Sequence, residues 1–144
     1  MKVQYNLAKI NNGIIVGTDH AAESVTGFFT KFEDGGSNIN PISELNKNQG
    51  KLLLKELQCP AHIYLKSPKS HLEDHYPYKT DEKILGVSYL EIDAYLEEIP
   101  INYIYNSKKI IENYYLKTLH KRKTPITPYS FYKKLKYNEY TPRN

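Results

Sequence analysis

Cysteine is nearly absent from this sequence. The single Cys59 among 144 residues excludes an internal disulfide framework and any metal site built from several thiolates. Arginine is scarce too, two residues against 18 lysines, which reads as compositional bias in the coding sequence more than as a demand of function. No long apolar run exists: stretches such as Ile14-Ile15-Val16 fall far short of the roughly 20 residues that a bilayer requires. The opening Met1-Lys2-Val3-Gln4-Tyr5 lacks the apolar core of a signal peptide, so the expected location is the cytoplasm, with no membrane partner.

With 40% hydrophobic and 25% charged residues, the composition is neither that of a disordered chain nor that of a membrane protein. The length suits one domain, residues 1–144, with 121–144 expected as an extended tail. Charge is uneven. Residues 1–106 carry a net −4 and residues 107–144 a net +8, so an anionic partner is expected near the C-terminus, of a kind that sign alone does not identify.

Gln4 to Ile10 reads as the tail of a helix. Gly13-Ile14-Ile15-Val16-Gly17 reads as a buried strand bounded by glycines, and Thr18 or Asp19 as the cap of a helix through Ala21-Ala22-Glu23-Ser24-Val25. A strand running into a capped helix is half of a βαβ unit, and ligands of open α/β sheets sit at that strand's carboxyl end. A glycine-containing loop, Lys31 to Pro41, follows. Asn46 can cap a helix bearing Leu52, Leu53, Leu54 and Leu57 that stops before Pro60. After a second loop over 65–80, Ser88 and Glu91 form a capping box for a helix to about Glu98, and a last helix is predicted from Ser107 to about Leu119. One parallel-type strand cannot make a sheet by itself, so the other strands belong to another polypeptide or to a larger domain of which this is a piece.

The string Val16-Gly17-Thr18-Asp19-His20-Ala21-Ala22-Glu23-Ser24-Val25-Thr26-Gly27-Phe28-Phe29-Thr30-Lys31 is long and idiosyncratic. With Asp34-Gly35-Gly36, Leu45-Asn46-Lys47, Leu72-Glu73-Asp74, Leu85-Gly86-Val87-Ser88-Tyr89 and His120-Lys121-Arg122 in the same order, it resembles the ammonia-dependent NAD synthetase family over about residues 1–132. The resemblance covers only the C-terminal half of that family. It implies an α/β fold: an incomplete Rossmann-like (adenine nucleotide alpha hydrolase-like) domain, mostly helical, with one clear strand at 13–17. It also implies an enzyme that amidates deamido-NAD with ammonia, ATP and Mg2+. Family members begin with a strand, a Ser-Gly-Gly-x-Asp-Ser loop and a helix that grip the ATP phosphates. Gly35-Gly36-Ser37 is the only comparable string here, and it neither follows a predicted strand nor opens a helix. Met1 falls inside the family helix before the strand, which leads to the expectation of a split-off segment or remnant, inactive alone.

By resemblance, Thr18, Lys47 and Ser70 contact ATP, Glu23 binds Mg2+, and Lys31, Asn38, His120 and Lys121 contact deamido-NAD. None is a protein nucleophile. Each has a plainer structural reading: Thr18 as a helix cap, Glu23 as a first-turn acid, the lysines as solvated surface, His120-Lys121 as a basic helix end. A divalent cation takes oxygen ligands, and ammonium groups neutralise the charge of departing pyrophosphate. His20 is expected to be structural or to support those groups. The sequence departs from the family at three places: Asn38 replaces an aspartate, Lys69 a threonine that Ser70 could stand in for, and Leu119 a glutamate.

A homodimer, or a complement to a separate N-terminal half, follows from the same resemblance. Two further readings stand beside it. One is a non-catalytic dimerisation or nucleotide-binding remnant. The other, ranked below, is nucleic-acid binding through Tyr129, Tyr132-Lys133-Lys134, Lys136-Tyr137 and Tyr140, where cations interleave with aromatic rings.

Overall fold

A computed structural model describes residues 2–69, 79–100 and 104–130. Helix α1 (Lys2–Ile10) is followed by an extended segment and α2 (Ala21–Thr26). The glycine-containing loop carries one short 3-10 turn, Asp34–Gly36. Then come α3 (Lys47–Glu56), α4 (Ala61–Tyr64), α5 (Asp81–Leu85), α6 (Tyr89–Leu96), α7 (Ile104–Lys117) and a 3-10 turn, Leu119–Arg122.

The helices form where local rules place them. Asn46 accepts a hydrogen bond from the Gln49 amide at 2.8 Å, and Gln49 Oε1 accepts from the Asn46 amide at 3.0 Å, so α3 opens with a reciprocal cap. Ser88 and Glu91 do the same for α6, and Ser107 adds a hydroxyl hydrogen bond to the Glu91 carboxylate from α7. Gly27 ends α2 in the left-handed region at φ 69°, where a side chain would also strike Thr118.

Two expectations are corrected. Residues 13–17 do not form a buried strand. Among the described residues the segment has a single parallel bridge, Val16 to Ile39, in which the Gly17 amide donates to Ile39 O at 2.7 Å and Ile15 O accepts from the Asn38 amide at 2.9 Å. Ile14 and Val16 are 60% and 55% exposed. A ladder needs a partner that stays extended, and this partner turns away at Asn40–Pro41. The cap of α2 is His20, not Thr18 or Asp19, because the Glu23 carboxylate reaches back to the His20 amide at 3.1 Å.

The core lies where α2, α5, α6 and α7 meet. Ala22, Leu85, Val87, Tyr89, Ile92 and Ile111 form one buried cluster, with Val25, Phe28, Ile110 and Tyr114 packed around it. Ile92 and Ile111 are the largest apolar side chains fully withdrawn from water. Helices α1 and α3 contribute no buried residue of their own, and Val3, Leu7, Leu52 and Leu57 face outward. They attach through termini and polar contacts: the Tyr5 hydroxyl donates to Gly36 O, and α3 is tied down at its first turn by Asp93 of α6. At the other end, 124–127 run without regular structure and 128–130 are helical.

Truncating Ile111 to alanine removes a fully enclosed side chain from this cluster. A loss of about 3 kcal/mol is expected in urea unfolding. Leu116→Ala, on the outer face of the same helix, is expected to stay within about 0.5 kcal/mol of the parent.

Candidate functional site

Two helix N-termini bring a carboxylate and an ammonium to one imidazole. On α2, Glu23 Oε2 caps the His20 amide, and Oε1 lies 3.4 Å from His20 Nε2. On α3, the Lys47 side chain extends so that Nζ is 3.1 Å from the same Nε2 and 4.9 Å from the centre of the Tyr89 ring. The first two amides of α3, those of Lys47 and Asn48, are both anchored by α6. The Asp93 carboxylate accepts from the Lys47 amide at 3.0 Å and from the Asn48 amide at 2.8 Å, placing negative charge at the positive end of α3. Tyr89 is fixed in turn, its hydroxyl donating to Asp81 at 3.2 Å and its amide to Glu82 at 2.8 Å.

Burial sets the protonation of this group. It pushes Glu23 up to about 7, with Asp19 and Asp34 adding repulsion and the His20 amide and Lys47 opposing. Burial, then the Lys47 charge, brings His20 down to about 4, so the imidazole is neutral at pH 7 and its contact with Glu23 is not an ion pair. Asp93 is raised by burial against the pull of its two amide donors. Asp19 is raised by burial and by Asp34. Glu23 therefore has a carboxylate oxygen beside an uncharged ring, short of positive charge. That donor chemistry fits a hard divalent cation, which takes one or two carboxylates and completes its shell with phosphates and water. Among the described residues no three His, Cys, Asp or Glu side chains gather into a metal site, so Glu23 would contribute one ligand from this chain.

The other expected residues fall in two further places. Thr18 is exposed and lines a separate cleft of about 320 Å³ with Gln4, Gly17, Asp34 and Ser37. Asn38 stands beside it, its Oδ1 accepting from the Ile15 amide at 2.9 Å. Lys47 and His20 line a larger cavity of about 530 Å³ together with Leu45, Leu53, Leu54, Lys51, Lys66 and Lys69. Ser70, expected on ATP, lies outside the described residues, as do Tyr132, Lys133, Lys134, Lys136, Tyr137 and Tyr140.

Lys31, His120 and Lys121 do come together, as a reciprocal clasp. Lys31 Nζ donates to His120 O at 2.6 Å and Lys123 O at 2.7 Å, while Lys121 Nζ donates to Gly27 O at 2.8 Å and Phe29 O at 2.7 Å. Arg122 completes the clasp, donating to Ser24 O at 2.7 Å and lying over the Tyr115 ring at 4.3 Å. The His120 side chain is exposed beside it, Nδ1 3.3 Å from Lys117 O. Sequence reasoning missed Asp93, Tyr89 and Arg122 as organising groups. Arg122 carried a signal, as one of only two arginines in a lysine-rich chain; Asp93 and Tyr89 carried none beyond their places on a capped helix.

The NAD synthase family model matches residues 1–125. The chain is similar to the NH(3)-dependent NAD(+) synthetase of Buchnera aphidicola subsp. Acyrthosiphon pisum (strain APS), 58% identical over 127 residues that cover 88% of this chain and 47% of that protein. It is 57% identical over 135 residues to the enzyme of the same name from Erwinia tasmaniensis, covering 93% of this chain and 48% of that one. The chain thus spans about half the length of the curated relatives it matches, their C-terminal portion. Among solved structures it resembles an NMN synthetase from Francisella tularensis, with TM-score 0.76 and 37% identity, over 86% of this chain and 50% of that one. The fold is therefore part of a Rossmann-like domain, largely helical within these residues.

Because burial raises Glu23 in the folded chain, its ionisation opposes folding: the stability it gives is whole below about pH 4.5 and is lost as pH rises through 7. Glu23→Gln is thus expected to match the parent near pH 4. Above pH 7 it is expected to be more stable by on the order of 2 kcal/mol in denaturant titrations.

Proposed function

The chain belongs to the NAD synthase family, and from that premise we propose that it forms the C-terminal part of an ammonia-dependent NAD synthetase, a carbon–nitrogen ligase of NAD biosynthesis. In the reaction proposed, the nicotinate carboxylate of deamido-NAD attacks the α-phosphorus of ATP and pyrophosphate departs. Ammonia then adds to the acyl carbon of the resulting adenylate, AMP leaves, and the amide of NAD remains. Neither step uses a protein nucleophile. The protein's contribution is placement and electrostatics.

The observation that carries this reading is the convergence of Glu23 and Lys47 on His20. An ammonium with no carboxylate partner among the described residues suits a phosphate chain. A nearby carboxylate in need of positive charge suits the Mg2+ that travels with it. Bound there, Mg2+ would screen the triphosphate charge, with Glu23 as its protein ligand. Thr18, with an exposed hydroxyl in the neighbouring cleft, is assigned to ATP, and Asn38 beside it to deamido-NAD. Lys31 and Lys121 reach the dinucleotide by exchanging carbonyl partners for its phosphates, with His120 exposed beside them. Ser70, outside the described residues, is assigned to ATP from the sequence resemblance. The assembly is assigned to the cytoplasm. None of the helices among the described residues is long and apolar enough to cross a membrane.

The 144 residues contain no Ser-Gly-Gly-x-Asp-Ser string, so the triphosphate cradle is proposed to come from a complementary N-terminal segment, within a homodimer of the whole. The outward leucines of α3 and the exposed apolar residues of α1 are consistent with such a partner. The competing reading, a non-catalytic remnant, differs in its outcome on mixing.

Two measurements decide between them. The chain alone, given deamido-NAD, ATP, Mg2+ and ammonia, is expected to yield no NAD, and the same chain mixed with a separately expressed N-terminal half of the Buchnera relative is expected to yield it. Failure on mixing, where that half is active with its own C-terminal partner, supports the remnant. In the active mixture Lys47→Ala is expected to lower kcat/KM for ATP by about 100-fold, the scale of one lost charge-stabilising donor, with partial recovery in Lys47→Arg.

A further inference from the structure

We propose that His20 is a positioning residue for Lys47: its Nε2 lone pair, together with the face of Tyr89, aims the Lys47 ammonium into the cavity while leaving its charge unneutralised. The consequence for phosphate binding rests on the synthetase reading; the holding of Lys47 does not.

The geometry assigns the roles. A lysine ammonium carries three donors and no acceptor. At 3.1 Å from Nζ, His20 Nε2 therefore accepts, and the ring proton resides on Nδ1. The second contact, the Tyr89 ring at 4.9 Å, is also uncharged. No carboxylate among the described residues forms an ion pair with Lys47, and Glu23 Oε1 faces His20 Nε2 at 3.4 Å instead. Asp93 spends both oxygens on the first two amides of α3, and Glu23 Oε2 on the His20 amide. Lys47 consequently keeps two N–H donors, with no ion pair among the described residues, on the wall of the 530 Å³ cavity. An ammonium paired to a carboxylate would have to break that pair before meeting an anion; one held by neutral groups does not.

His20 is itself held from both sides. Its main chain caps α2 through Glu23, its ring stands edge-on to Tyr89 at 6.0 Å, and Tyr89 is anchored to Asp81. Nδ1 is buried without a partner among the described residues. A buried N–H left unpaired costs free energy; turning the ring over to pair it would set the Cε1–H group opposite the ammonium in place of the Nε2 acceptor, and moving the proton to Nε2 would set an N–H there.

Two substitutions separate reach from polarity. Gln at position 20 places an acceptor near the Nε2 position; Asn is polar but too short. Pulse acetylation of the whole chain with acetic anhydride, followed by mass spectrometry, reads how firmly Lys47 is held, with exposed Lys108 as internal reference. His20→Asn is expected to raise acetylation of Lys47 relative to Lys108 by about threefold, the scale of one lost hydrogen bond, and His20→Gln to leave it near the parent value. Equal labelling in all three chains, or Gln behaving as Asn does, overturns the proposal. Should His20→Asn fail to fold, nitrogen-15 NMR of the unsubstituted chain at neutral pH decides: an Nδ1–H tautomer at His20 supports the assignment and an Nε2–H tautomer overturns it. Protection of Lys47 by inorganic tripolyphosphate is scored separately. Its absence beside an intact Asn/Gln contrast defeats the phosphate reading and leaves the role of His20 standing.

Discussion

The contact on which the rest of this site depends is made by a side chain that lines neither the cleft at Thr18 nor the cavity at Lys47. Asp93, buried in the middle of α6, accepts hydrogen bonds from the first two amides of α3. Helix α3 has no buried apolar residue to hold it against the core, so hydrophobic packing does not determine where its N-terminus lies. A carboxylate on unpaired first-turn amides combines charge-assisted hydrogen bonding with the helix dipole. With that end fixed, Lys47 extends toward His20 and Tyr89. The core that fixes Asp93 is made by α2, α5, α6 and α7, so the ammonium is indexed to the best-packed part of the molecule.

The other cations are used differently. Lys31, Lys121 and Arg122 donate to main-chain carbonyls of each other's segments and so join the end of α2 to the turn after α7. Carbonyl oxygens satisfy the donors without cancelling the charge. The same arrangement that closes a structural joint therefore leaves positive potential on its outer side. Structural and ligand-binding readings of these lysines are not exclusive, and the clasp supplies the geometry from which an anionic ligand would recruit them.

Features governed by short-range rules were legible in the sequence. Asn46 as a cap and the Ser88–Glu91 box follow from polar residues three positions from their amide partners, and both stand in the structure. The long string from Val16 to Lys31 led to the family because sixteen consecutive residues carry far more information than any motif within them. Contacts that join distant segments were not legible. Asp93 meets Lys47 across 46 positions, and Lys31 meets His120 across 89. The apolar run Ile14-Ile15-Val16 misled for a related reason: it states a preference for burial and extension, but a ladder also needs a second extended segment, and among the described residues only Ile39 provides a bridge. The capping of α2 by His20 escaped notice because histidine is a poor cap by side chain; Glu23 supplies the missing acceptor instead.

Helices α2 and α3 are proposed to deliver a cation-seeking carboxylate and an ammonium without an ion-pair partner to one phosphate-binding point. A crystal structure of the chain assembled with a complementary N-terminal half, Mg2+ and a non-hydrolysable ATP analogue tests it most directly. The expected result is a phosphate oxygen within hydrogen-bond reach of Lys47 Nζ and a Glu23 oxygen on the metal, with the Lys47–His20 contact kept. A triphosphate and metal bound elsewhere, with Lys47 and Glu23 touching neither, would contradict it.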